Sequence, residues 1–155
     1  MMKRIIYIAI PLLAGAILLL PAVHTGHPPS PRYVTQVTLR AYDTALAAYL
    51  NEYSKTPTGA LAQITATLAG LNTNENRRGL RFIEQVPITK TLFGKVRGGN
   101  TDADGNYLDG WYRPIALNIT LDGWSLVSSG ADGVRNSTDD IVVTRNLHEQ
   151  RPNMK

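Results

Sequence analysis

Ile115-Ala116-Leu117-Asn118-Ile119-Thr120-Leu121-Asp122-Gly123-Trp124-Ser125-Leu126-Val127-Ser128 is the stretch on which the fold turns. Apolar residues alternate with small or polar ones on both sides of Asp122-Gly123, at Ile115, Leu117, Ile119 and Leu121 and then at Trp124 and Leu126. A period of two gives a strand one apolar face, and Asp-Gly between two such runs is the signature of a two-residue hairpin turn. This reading sets Leu121 opposite Trp124 and Ile119 opposite Leu126, with one apolar face across both strands. Ile141 and Val143 supply a third strand, and Leu80, Phe82 and Val86 read as a short strand ending before Pro87.

Upstream the period changes. Ser30-Pro31 offers an N-cap followed by a proline at the first helical position. Leu39, Tyr42, Leu46, Tyr49 and Tyr53 then recur at three- and four-residue steps, one face of a helix that Thr56-Pro57-Thr58-Gly59 ends. A tyrosine stripe at this spacing reads as core rather than as a ligand surface. Leu61, Ile64, Leu68 and Leu71 mark a second helix that stops at Asn72. Helices first and strands afterwards imply an α+β fold, a long amphipathic helix packed on a small antiparallel sheet, over residues 32–147. Residues 148–155 read as a flexible tail.

The beginning of the chain carries a different signal. Met1-Met2-Lys3-Arg4 precedes Ile5–Val23, which holds no charge. As a helix that run is about 28 Å long, near the hydrocarbon thickness of a bilayer, and the basic flank stays cytoplasmic. Residues 1–23 therefore read as a membrane-spanning anchor, with a cleaved signal peptide as the competing reading. Around Pro21-Ala22-Val23-His24-Thr25-Gly26 no clean Ala-x-Ala site appears, which favours the anchor. The expected topology is single-pass in the inner (cytoplasmic) membrane, with the C-terminal domain in the periplasm or extracytoplasmic space. Residues 24–31, rich in proline, read as a stiff linker.

Composition narrows the chemistry. The 155 residues include no cysteine and three histidines, which excludes a disulfide framework, thiolate metal sites and a cysteine nucleophile. The net charge of +4 is unevenly placed. Residues 75–97 carry a local balance of +4, and residues 102–140 one of −5. Bases are not gathered with aromatics on one stripe, so no nucleic-acid partner is expected. Two solvated faces of opposite sign explain the pattern, and a contact between identical subunits, positive face to negative face, is the sharper alternative. Gly-x-Ser-x-Gly, Gly-x-Gly-x-x-Gly and the phosphate-loop pattern are absent. Ser128, Ser129, Asp132 and His148 can be drawn as a triad only without a nucleophile elbow, so neither enzymatic activity nor a small-molecule substrate is expected.

Two polar segments look like chemistry. Asp102-Ala103-Asp104-Gly105-Asn106 places three oxygen-bearing side chains at alternate positions, like the opening of a calcium loop. The pattern then fails, because glycine comes two places early and position twelve is Arg113 rather than Glu, so it reads as a polar turn with a second ion left open. Ser128-Ser129-Gly130-Ala131-Asp132-Gly133, continuing to Asn136-Ser137-Thr138-Asp139-Asp140, puts three carboxylates in one loop bent by two glycines. Their repulsion needs a cation or backbone N–H groups in compensation. A hard cation there would draw on Asp132, Asp139 and Asp140, with backbone carbonyls and Ser128 or Ser129 completing its shell.

At Asp109-Gly110-Trp111, the hairpin, Ser129-Gly130-Ala131-Asp132-Gly133 and Thr138-Asp139-Asp140-Ile141, the chain resembles the major pseudopilins of type II secretion systems. Gly79-Leu80-Arg81-Phe82-Ile83-Glu84 is similar to the strand before Asp-Gly-Trp in that family. The resemblance implies a pilin-like fold in which a membrane-spanning helix runs on into the globular domain, and a final loop that binds calcium. It implies Ca2+ as the cofactor, with Ser128, Ser129, Asp132, Asp139 and Asp140 as the metal residues. The chain departs from the family in lacking the prepilin cleavage motif, in Pro11 within the apolar run, in Tyr112 where the family has Gly after Trp, and in Ala131 where it has Pro. The expected function is structural, a pseudopilin-like subunit or accessory of a type II secretion or type IV pilus-like envelope assembly. Its partners would be the membrane and other pilin-like subunits or secretion components. The alternative is an exported calcium-binding or ligand-binding module that does not polymerise.

Overall fold

Ser30 begins the first helix as its sequence indicates, its hydroxyl accepting the Tyr33 N–H at 3.3 Å with Pro31 next in line. The structure, a computed structural model, describes residues 28–90 and 96–148. Helix α1 spans Pro31–Tyr53 and ends at Ser54 in the left-handed conformation (φ 54°). Its stripe of Leu39, Tyr42, Leu46 and Tyr49 is fully buried, as the three- and four-residue spacing requires. Helix α2 is Leu61–Leu68, its first turn closed by Gln63 Oε1 accepting the Ala60 N–H at 2.9 Å.

Five short strands follow: β1 Thr89–Lys90, β2 Val96–Arg97, β3 Ala116–Thr120, β4 Gly123–Ser128 and β5 Ile141–Asn146. β1 and β2 form a small antiparallel ribbon, and β3-β4-β5 form an antiparallel sheet in sequence order. The core lies between α1 and this sheet, where the α1 stripe meets Ile64, Leu68, Tyr107, Ile115, Trp124, Leu126 and Ile141. The expected α+β layering is therefore present, and Ile141 and Val143 lie in the third strand.

Several expectations are corrected. No helix among the described residues is long and apolar enough to cross a membrane, so the membrane-spanning element drops out of the architecture described here. The run to which it was assigned, residues 1–23, lies outside the described residues, as do linker positions 24–27 and tail positions 149–155. The hairpin turn falls on Leu121-Asp122 rather than Asp122-Gly123, so Ile119 pairs with Trp124 and Leu117 with Leu126. Gly123 opens β4 at φ 148°, and a Cβ there would run into the Arg145 carbonyl of β5. Its glycine serves the approach of the third strand, and Leu121 is left exposed at the turn. Helix α2 stops before Leu71, which is exposed, because Gly70 turns the chain at φ 77° against the Gly79 carbonyl. Residues 80–86 form no strand. Phe82 instead docks on the end of α2, its N–H on the Leu68 carbonyl at 2.8 Å and its ring edge-on to Tyr49.

Two polar groups fasten this framework. Asn76 is fully buried; its amide donates to the Thr67 and Leu80 carbonyls, and its oxygen accepts from the Tyr53 hydroxyl and the Leu80 N–H. All its hydrogen-bonding capacity is used, so it sets the path of the loop after α2. Asp43 on α1 accepts the Trp124 indole N–H at 2.9 Å and two Arg145 nitrogens at 2.8 and 2.6 Å, tying the helix to β4 and β5. The Arg145 hydrogen bond holds the Asp43 carboxyl below its ordinary range, although partial burial acts in the opposite direction. A carboxyl depressed in the folded state contributes stability above its unfolded pKa of about 4, and that contribution is lost as pH falls through the folded value. Acid unfolding below about pH 4 should consequently be shallower in Asp43→Asn than in the wild type, with lower stability at neutral pH. Parallel acid titrations followed by circular dichroism would refute the linkage if the two curves had the same slope.

Candidate functional site

The Asp-Gly-Trp segment and the terminal loop, far apart in sequence, form one site. Asp109, 4% exposed, follows the buried Tyr107 and Leu108 and heads a tight turn. Its Oδ1 accepts the N–H groups of Trp111 and Arg113 at 2.9 and 3.0 Å, and its own N–H donates to the Arg113 carbonyl at 2.9 Å. Its Oδ2 accepts the Ser128 hydroxyl at 2.6 Å. One carboxylate thus closes the turn and clasps it to the end of β4, the kind of fully satisfied buried network that rigidifies its surroundings. Gly110 lies against α1, where a Cβ would run into the Pro31 carbonyl, and its N–H donates to Thr35 Oγ1 at 2.9 Å. Tyr112 takes a left-handed conformation at φ 61°, which costs a non-glycine residue about 1–2 kcal/mol.

The turn also aims Arg113 into the terminal loop. Nη1 donates to the Gly130 carbonyl at 2.8 Å and Nη2 to the Ala131 carbonyl at 3.2 Å. Gly133, at φ 74°, leaves the space that the guanidinium fills.

The five residues expected to bind metal are placed as follows. Ser128 is fully buried and donates to Asp109, while its oxygen accepts the Gly130 N–H at 3.3 Å. Ser129 contributes its carbonyl to the Gly133 N–H at 3.0 Å. Asp132 turns to the Val134 N–H at 2.8 Å. Asp139 Oδ2 accepts the Ala131 and Asp132 N–H groups at 2.6 and 3.1 Å, and Oδ1 accepts the Ser137 hydroxyl at 2.5 Å. Asp140 accepts the Asn136 N–H at 2.8 Å. The Ser137 hydroxyl and then the backbone N–H of Asp132 pull the Asp139 carboxyl down to about 2. The loop therefore gathers its carboxylates around backbone N–H groups.

Calcium requires six to eight oxygens converging on one point. The Ser128 hydroxyl, the Asp139 oxygens and the Gly130 and Ala131 carbonyls are each engaged elsewhere. Among the described residues no three acidic or histidine side chains are grouped to hold an ion. The donor set as arranged does not fit calcium. At the second segment Asp102 closes on itself, accepting the Asp104 and Asn106 N–H groups and the Asn106 amide. Burial pushes Asp102 up, but the Asn106 amide and the N–H groups of 104–106 together hold its carboxyl below its ordinary value.

The residues of the candidate triad do not assemble. Ser128 faces Asp109, and His148 Nε2 lies 2.9 Å from Asp122, exposed at the hairpin-turn end of the sheet. Arg113 and Asp109 organise the site, although neither belongs to the oxygen-ligand set expected from the sequence. The available signal was Arg113 itself, the basic residue at the twelfth position of the Asp102 segment, where a calcium loop would have Glu. Comparison with family models, with curated proteins and with solved structures finds no match to this chain.

Proposed function

We propose that this chain is a structural, extracytoplasmic protein, a pseudopilin-like subunit or accessory of an envelope secretion assembly. The observation that carries the reading is the coupling of a 23-residue helix, laid along a three-stranded antiparallel sheet, to a terminal loop clasped by the Asp109 turn. In such a design the clasp gives the end of the domain a fixed shape without a catalytic group, which suits a surface that meets other subunits. The engagement of Ser128 and His148 in separate contacts supports a non-catalytic role.

The chain has no cysteine, so a single introduced thiol reports contacts cleanly. Val37, half exposed on α1, is a suitable position. Val37→Cys, expressed in the native cell and treated with a short bifunctional thiol reagent, should give cross-linked species containing further copies or other envelope subunits. Recovery of the monomer alone, together with unchanged protein export in a deletion strain, would remove the structural reading.

A further inference from the structure

We propose that the Arg113 guanidinium is the resident cation of the 128–140 loop, occupying the role that the resemblance assigns to calcium. Two consecutive peptide units carry the case. The Gly130 carbonyl accepts from Arg113 Nη1 at 2.8 Å, while the N–H of the same peptide, on Ala131, donates to Asp139 at 2.6 Å. The Ala131 carbonyl accepts from Nη2 at 3.2 Å, while the Asp132 N–H donates to the same carboxylate at 3.1 Å. Each peptide thus has its positive N–H end on the Asp139 carboxylate and its negative carbonyl end on the guanidinium, so a charge holds it at each end. Hydrogen bonds to ionised groups are the stronger class, and the planar guanidinium fork presents its N–H groups to the two carbonyls in a fixed geometry.

The surroundings are shaped for this group. A Cβ on Gly133 would lie 2.7 Å from Nη1 and 2.8 Å from Cζ, so a side chain there would displace the guanidinium. A Cβ on Gly130 would lie 2.5 Å from Asp139 Oδ2, so the anion is seated against glycine as well. The arginine backbone is itself fixed, its N–H on Asp109 Oδ1 and its carbonyl on the Asp109 N–H. The cation is delivered from a rigid turn. Arginine stays charged at any working pH, so the loop closes independently of the calcium level around it. The inference concerns loop closure alone and holds whether or not the domain joins an assembly.

Thermal melting of the full chain in millimolar calcium and in chelator, for the wild type, Arg113→Ala, Gly133→Ala and the double variant, tests it. A native calcium site would raise the melting temperature through the mass-action term RT ln(1 + [L]/Kd). The wild type should instead melt within about 1 °C under both conditions. Arg113→Ala should lower the melting temperature by about 5 °C, and the double variant should lose clearly less than the two single losses combined. If Arg113→Ala does not fold, Arg113→Lys, which keeps the charge but not the fork, takes its place in the cycle. A calcium-dependent rise of several degrees in the wild type, an arginine variant as stable as the wild type, or an additive cycle each overturns the proposal.

Discussion

Replacing Asp109 by Ala should lower the stability of the domain by about 3–5 kcal/mol, read from the midpoint of urea denaturation. The side chain is buried and accepts from three donors, the N–H groups of Trp111 and Arg113 and the Ser128 hydroxyl. Alanine leaves each of them without its partner, and an unsatisfied buried donor costs about 1–3 kcal/mol. Asp109→Asn keeps an oxygen for the two backbone donors and presents an amide to Ser128, whose hydroxyl can accept instead. Its expected cost is smaller, about 1–2 kcal/mol. Equal losses in the two variants would mean that charge rather than hydrogen-bond geometry holds the clasp, and a loss under about 1 kcal/mol in both would mean that the clasp does not hold at all.

Trp124→Ala carries an effect of the same size, about 3–5 kcal/mol, for a different reason. The indole is 2% exposed between α1 and the sheet, so its removal leaves a cavity in the core. It also strips Asp43 of one donor and removes the ring against which the Arg145 guanidinium lies, 5.6 Å from the centroid. Because Asp43, Trp124 and Arg145 form one network, Trp124→Ala and Asp43→Ala should combine non-additively. Trp124→Phe should recover most of the packing but not the hydrogen bond. A near-zero cost for Trp124→Ala would place the indole outside the core and require a different sheet register.

The parts of the fold written in local periodicity were legible in the chain. The α1 stripe of Leu39, Tyr42, Leu46 and Tyr49 shows its three- and four-residue steps directly, and Ser30-Pro31 marks its start. Trp124 and Leu126 alternate in the right phase, so their burial was legible even where the exact partner was not. The register is not legible locally, because within the hairpin alone Asp122-Gly123 has the pattern of a turn. Gly123 answers instead to β5, a neighbour whose approach depends on a strand 18 residues later. Phe82 shows the same limit, since its place is set by α2 and the Tyr49 ring rather than by alternation around it.

The site divides in a similar way. Acidic crowding in residues 128–140 shows in the composition, and so does the need for compensating positive charge or N–H groups. What composition does not show is direction. Asp139 folds back onto the Ala131 and Asp132 N–H groups, and the compensating cation arrives from Arg113, 17 residues before Gly130 and on another turn. A guanidinium carries no ligand oxygen, so its role in this loop does not show in a pattern of oxygen-bearing side chains.

Amide hydrogen exchange at Ala131 and Asp132 in the full chain reports on that closed loop residue by residue. These two N–H groups belong to the peptides held between Arg113 and Asp139, and their exchange requires the loop to open. In the wild type both should be protected to the same degree in calcium and in chelator, and Arg113→Ala should lose that protection while the amides of β4 keep theirs. Protection that appears only when calcium is added, and survives in Arg113→Ala, would contradict the arginine-closed loop and return the site to a metal ion.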